Sequence, residues 1–256
     1  MRRATSAVAV LAIERTPAGH AIAELRRGAR VAPRLLDRGP GAVRATFVPT
    51  QAGPLAGDRD STRIVVGAGA TLVVEPVAAT LALPGAPRTL LRLDVTVHEG
   101  GRLVLDEGPL IVAAGADVRR SVLVELEHGA VAALRETVVL GRDGEPPGTL
   151  ESSLRVTLAR RPLLHDGLRV GAASPRDDAH VALAPGHRVV ATIALLGVEA
   201  APEPGVLALE GAGALQRAGG ASLAAVDAVL AARWRAWVAL VAPAPAPAPA
   251  PATARR

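Results

Sequence analysis

The chain has 256 residues, of which 50% are hydrophobic and 21% charged, a globular composition and not a disordered one. Its net charge of +5 is carried by arginine alone, which excludes chemistry that needs a Schiff-base or phosphate-loop lysine. Cysteine is absent, which removes disulfides, thiolate metal sites and cysteine nucleophiles, and with no Tyr, one Phe and two Trp the core has to be built from Ala, Val, Leu and Ile.

At the start, Met1-Arg2-Arg3 precedes an apolar run, Ala7 to Ile13, that Glu14-Arg15 ends. The run is short for a signal peptide and lacks a clear cleavage site, so a first β-strand is expected. No apolar stretch reaches about 18 residues, so no membrane span is expected and a cytoplasmic location follows as the default. Residues 1–241 then read as one mainly β domain. Its expected strands are Arg63 to Val66, Thr71 to Glu75, Leu90 to Val97, Leu103 to Leu105, Val122 to Leu126, Leu134 to Leu140, Leu154 to Leu158 and Val189 to Leu196. In the third, Leu91, Leu93, Val95 and Val97 alternate with Arg92, Asp94 and Thr96, as a strand with one buried face requires.

Three glycine turns separate these runs: Gly67-Ala68-Gly69-Ala70, Glu99-Gly100-Gly101 and Glu127-His128-Gly129-Ala130. Gly69, Gly101 and Gly129 lie 32 and 28 positions apart, and each turn leads into an apolar strand and then a second one. That recurrence predicts stacked β-hairpin layers or a β-solenoid, with a plain β-sandwich as the alternative. From Ser222 to Val241 the period changes. Leu223, Val226, Leu230, Trp234, Trp237 and Val241 recur every three or four residues, which predicts an α-helix capped by Ser222 and docked through its tryptophans. Residues 242–256 begin with an Ala-Pro alternation and are expected to be a disordered tail.

The chemistry-bearing residues form no local catalytic pattern. The six histidines make no HxH, HxxxH or HExxH, and His98 and His128 read as exposed turn residues. No GxSxG elbow surrounds Ser61, Ser121, Ser152 or Ser153, and Gly67 to Ala70 lacks the Gly-Lys-Ser/Thr of a phosphate loop. Scattered arginines without aromatics argue against nucleic-acid binding. Carboxylates pair at Asp58 with Asp60, Asp106-Glu107 and Asp177-Asp178. Asp106 and Glu107 point to opposite faces of a strand unless Gly108-Pro109 bends it, and solvated turn charges are the default reading of all three pairs.

One segment is more specific. Thr50-Gln51-Ala52-Gly53-Pro54-Leu55-Ala56-Gly57-Asp58, the strand Ile64-Val65-Val66, the turn Gly67 to Ala70 and the strand from Leu72 that closes at Ala78-Ala79-Thr80 resemble the UreD (UreH) urease accessory protein family, with its "GGxxxGD" element and "pGA" turn. The order continues. Gly100 to Leu105 with Pro109-Leu110-Ile111 stands where that family carries "LEWLPxPxI", Gly141-Arg142 with Gly144-Glu145 resembles its "GRxxxGE" turn, and Pro162 to Asp166 and Arg233-Trp234 with Trp237 follow in place. The resemblance implies a divergent branch: Val74-Glu75 stands where the family has Thr-Thr, and the "LEW" tryptophan and glutamate are missing.

The resemblance implies a mainly β, stacked scaffold that is not an enzyme. It implies binding to apo-urease and to a UreF-like protein, through which a UreG-like GTPase is recruited, and an interior passage by which nickel reaches urease without a permanently bound cofactor. Nickel in transit would ride on oxygen or imidazole donors held weakly enough to release it. By motif position the candidate residues for that path are Asp58, Glu75, Asp106, Glu107 and Glu145, each of which also reads as a turn-stabilising or salt-bridged carboxylate. Arg142 is expected to order its turn by pairing with Glu145. Two readings stand beside this one: a β-rich protein-binding module unrelated to nickel, and a hydrolase built on Asp58 or Glu107, which would need two carboxylates about 5–9 Å apart in one pocket.

Overall fold

The structure, a computed structural model, describes residues 7–171, 187–200 and 203–242. The tail expected beyond Ala242, and the pair Asp177-Asp178 with His180, lie outside the described residues. Two β-sheets face each other. The first contains β1 (Ala9–Thr16), β2 (Gly19–Arg26), β5 (Arg59–Val66), β8 (Thr89–Val97), β10 (Asp117–Leu126), β12 (Thr149–Leu158) and β13 (Arg161–Val170), in the order β13-β12-β10-β8-β5-β1-β2. The second contains β3 (Val31–Arg38), β4 (Val43–Pro49), β6 (Thr71–Val74), β7 (Thr80–Ala82), β9 (Arg102–Val112), β11 (Val131–Leu140), β14 (Val189–Leu196), β15 (Leu207–Ala208) and β16 (Gly213–Gly220). Its order is β15-β16-β14-β11-β9-β6-β4-β3, with β7 also beside β9.

The chain alternates between the sheets, and that alternation makes a solenoid. Strands β1, β5, β8, β10 and β12 are mutually parallel, as are β4, β6, β9 and β11. Parallel pairing rules out hairpins at the three glycine turns, which instead carry the chain from the first sheet to the second. The turns stack. Gly69 N–H donates to the Glu99 carbonyl at 2.9 Å and Gly100 N–H to that of His128 at 3.2 Å. Gly69, Gly100 and Gly129 hold φ of 63°, 63° and 69°, the left-handed region in which a side chain is strained. Antiparallel hairpins, β1-β2 and β3-β4 at one end and β12-β13 with β14-β16 at the other, close the stack.

The interior between the sheets is aliphatic near the glycine turns. Leu11, Ile13, Ile64, Val66, Val95, Val97, Val124 and Leu126 of the first sheet meet Leu72, Leu103, Leu105, Ala132 and Leu196 of the second. A separate apolar cluster, including Val112, Val118, Val138, Leu140 and Leu150, fills the far ends of the strands. Three of the eight expected strands begin four or five residues earlier than the apolar pattern indicated: β5 at Arg59, β10 at Asp117 and β12 at Thr149. The added residues carry the polar side chains that separate the two clusters.

The outer face of the second sheet is covered by α1 (Leu223–Val241). Ser222 caps it, accepting the Ala225 N–H at 3.2 Å, and Val226, Leu230, Trp237 and Val241 are buried on the sheet. Trp234 packs at the edge of that contact, whereas Leu223, expected on the docked face, is exposed. Arg102 on β9 donates to the carbonyls of Leu240 and Val241 at 3.2 and 3.3 Å, satisfying acceptors that the helix end leaves open. No helix among the described residues is long and apolar enough to cross a membrane.

Candidate functional site

Two polar rows cross the interior at one level of the stack. On the first sheet Asp60, Leu91, Arg120 and Ser152 are register partners on β5, β8, β10 and β12. On the second, Glu136, Thr192 and Arg217 are in register on β11, β14 and β16, and Glu136 faces the irregularity at Glu107-Gly108 in β9. Gly108 makes that bulge. Its φ is 78°, and a Cβ there would lie 2.9 Å from the Ala78 carbonyl oxygen, so a side chain is excluded by both backbone and space. A cavity of about 120 Å³ lies along the belt, with Arg30, Asp60, Thr62, Glu107, Arg120 and Glu136 among its walls. It has room for several waters.

Arginines pair with the carboxylates of the belt at three points. At the N-terminal end Arg30, with a side chain 9% exposed, reaches Asp58 at 2.7 Å through Nη1 and Asp60 at 3.1 Å through Nε, and donates to the Ala52 carbonyl. In the middle, Arg120 donates through Nη2 to Glu107 at 2.5 Å and through Nη1 to Glu136, which also accepts the Ser152 hydroxyl at 2.7 Å. At the other end Arg217 pairs with Asp166 and donates to the Thr192 hydroxyl at 2.9 Å. Burial works against the Arg120 charge, but Glu136 and Glu107 outweigh it and raise its pKa. Burial pushes the Asp60 carboxyl up against the pull of Arg30.

The five carboxylates singled out from sequence go to different places. Asp58 and Glu107 join the belt. Asp58 also accepts the Leu55 N–H at 2.6 Å, which closes the turn before β5. Asp106 faces away from Glu107, toward α1: its Oδ1 accepts the Gly108 N–H at 2.9 Å and its Oδ2 lies 3.8 Å from Arg135, which also pairs with Asp227 of the helix. Burial raises its pKa. Glu75 follows β6 and forms a two-point pair with Arg44 at 2.6 and 3.2 Å, away from the belt. Glu145 sits in the turn after β11, where Arg142 at 2.5 Å and the N–H groups of Ala114 and Arg142 hold it, and the Arg142 bond first of all lowers its pKa to about 2.

The belt residues that sequence reasoning missed are Arg30, Arg120, Glu136, Thr192 and Arg217. A signal existed. Arg120 occupies the inward phase of Val118, Val122, Val124 and Leu126, and Glu136 that of Leu134, Val138 and Leu140. Asp60, Leu91 and Arg120 also precede Gly69, Gly100 and Gly129 by the same interval, so one phase of the repeat carries the row.

Asp58, Glu107 and Glu136 are each paired with a guanidinium, and Asp60, Glu107 and Glu136 line one cavity. Among the described residues no group of three or more His, Asp or Glu side chains is set to hold a metal ion. His98 bonds Glu127 at 3.1 Å on an exposed turn. The arrangement is a polar corridor in which three arginines face five carboxylates, and its cavity extends from Arg30 to Glu136 and Thr137.

Comparison with known proteins bears on this geometry. Residues 6–250 match the family model described as UreD urease accessory protein. Proteins named urease accessory protein UreD are similar over most of the chain. One from Streptomyces coelicolor is 38% identical, covering 82% of this chain and 88% of its own length. One from Streptomyces griseus subsp. griseus is 36% identical over 89% and 90%, and one from Parafrankia sp. (strain EAN1pec) 37% identical over 79% and 76%.

Proposed function

The chain belongs to the UreD family of urease accessory proteins, and from that premise we propose that it is a scaffold in urease maturation whose interior belt conducts nickel toward the urease site. The scaffold binds apo-urease and a UreF-like protein, and through the latter a UreG-like GTPase. It acts in the cytoplasm, makes and breaks no covalent bond, and holds nickel only in transit.

The belt itself is the observation that supports this reading. A core made of Val, Leu, Ile and Ala has no packing reason to carry Asp60 and Arg120 in one sheet row opposite Glu136 in the other, because burying charge costs more than burying aliphatics of equal volume. Carboxylate, hydroxyl and water donors suit a divalent ion that has to leave again. Asp58 and Glu107 remain proposed path residues, joined by Asp60 and Glu136. Glu75, Asp106 and Glu145 lie off this corridor and are assigned to structural pairs.

Co-expression with urease and its accessory proteins tests the reading. The chain should co-purify with the UreF-like partner and with apo-urease. Glu136→Gln should leave that complex intact while lowering the nickel content of the purified urease. Unchanged nickel content with Glu136→Gln and Asp60→Asn combined would remove the corridor from the mechanism, and failure to co-purify would remove the scaffold.

A further inference from the structure

The middle of the corridor is occupied by a cation that belongs to the chain. The Arg120 guanidinium is inside the belt with its side chain 14% exposed, and both glutamates at that level, Glu107 and Glu136, are bound to it. The guanidinium charge offsets half of the pull that the two carboxylates would exert on an approaching cation, and the effect grows in a partly dry interior. It also takes up the carboxylate oxygens that an ion would need. The three charges sum to −1, and with the guanidinium in place the aliphatic clusters on either side are spared an unpaired Glu136.

Resting on the reading of the belt as an ion passage, we propose that Arg120 is a displaceable counter-ion that keeps the corridor shut, and that Ni²⁺ crosses the midpoint by taking the guanidinium's place on Glu107 and Glu136. The geometry suits an exchange. Both glutamates reach the two Nη nitrogens of one guanidinium, so their oxygens already converge on a single cation. The Ser152 hydroxyl supplies a further oxygen at Glu136, and the adjoining cavity gives the displaced side chain and the ion's waters room. Arg120 therefore sets selectivity as well as closure. An ion that coordinates carboxylate and hydroxyl oxygens too weakly to displace the guanidinium leaves the arginine in place, which disfavours Mg²⁺ relative to the more strongly coordinating Ni²⁺.

Equilibrium dialysis of Ni²⁺ against the full chain tests this. Arg120→Met frees both glutamates and should bind one Ni²⁺ at least about tenfold more tightly than the wild type, a difference of about 1.4 kcal/mol. Adding Glu136→Gln to that variant should abolish the gain. Arg120→Lys, whose ammonium is a point charge that cannot bridge two carboxylates in a fork, should fall between the two. If Arg120→Met folds only with Ni²⁺ present, while the wild type folds without it, that dependence supports the exchange by linkage. If it folds in neither condition, Arg120→Lys decides. Wild-type affinity in the Lys variant, or in a folded Met variant, overturns the proposal and leaves Arg120 a permanent clamp. The nickel content of urease matured with the wild-type chain is a separate readout: it can fail while the Arg120→Met gain holds, which would sink the passage and not the counter-ion.

Discussion

Arg120 and Arg142 each grip a glutamate at 2.5 Å, yet the two pairs do opposite things. The Arg142 pair lies three residues apart in an exposed turn, where water screens it and either partner can leave without stranding the other. The Arg120 cluster joins β9, β10 and β11 across the interior, and there each charge depends on the next. The same side chains therefore make a staple at the surface and an interdependent charge cluster inside. Position in the repeat, and not residue type, separates them.

The largest effect that would sharpen this contrast is at the corridor's N-terminal end. Arg30→Ala strands both Asp58 and Asp60 and should cost about 3–5 kcal/mol in urea unfolding. A loss below about 1 kcal/mol would make Arg30 no different from a surface arginine. Ser152→Ala removes one hydroxyl donated to a charged acceptor, and a loss of about 1.5–3 kcal/mol is expected by the same measurement. Ser222→Ala, outside both regions, removes the cap of α1 and should cost about 1 kcal/mol.

The smallest effect is read by pH. Glu145 has its pKa lowered to about 2 by Arg142, so its stabilising contribution is present above the ordinary value of 4.5 and is lost as pH falls through about 2. Arg142→Ala should bring the Glu145 carboxyl back toward 4.5 in an NMR titration and flatten stability across that acid window. Asp60 has the opposite sign. Burial raises its pKa, so its contribution is complete below 3.8 and is lost as pH rises through the raised value. Asp60→Asn should remove that loss, and a Glu145 titration unmoved by Arg142→Ala would break the comparison from the other side.

The legible half of each coil is the one next to its glycine turn. Leu93, Val95 and Val97 alternate without interruption and run into Gly100, so strand, face and turn follow from period and backbone freedom. The α1 spacing was equally plain, because its buried Val226, Leu230, Trp237 and Val241 recur at helical intervals. Farther from the turn, Asp60, Arg120 and Ser152 interrupt the inward phase, and an apolar criterion ends the strand where the corridor begins. Motif position alone could not sort Glu75 and Asp106 from Glu107. Asp106 and Glu107 differ only in strand parity, and parity decides whether a carboxylate meets the helix side or the interior. Arg30 was hidden for another reason. It lies between two strands, in a segment with no periodic signal, and only the closure of the stack brings it to Asp58 and Asp60.

The glycine-turn stack also sets how such a molecule can vary in size. Neighbouring strands stand about 4.8 Å apart, so β5, β8, β10 and β12 carry the first-sheet row over roughly 14 Å. Duplicating or deleting one whole coil would lengthen or shorten the conduit by a single strand spacing and keep its bore. Length and cross-section are thus independent dimensions of the same architecture, one counted in repeats and the other written in the side chains of a single phase.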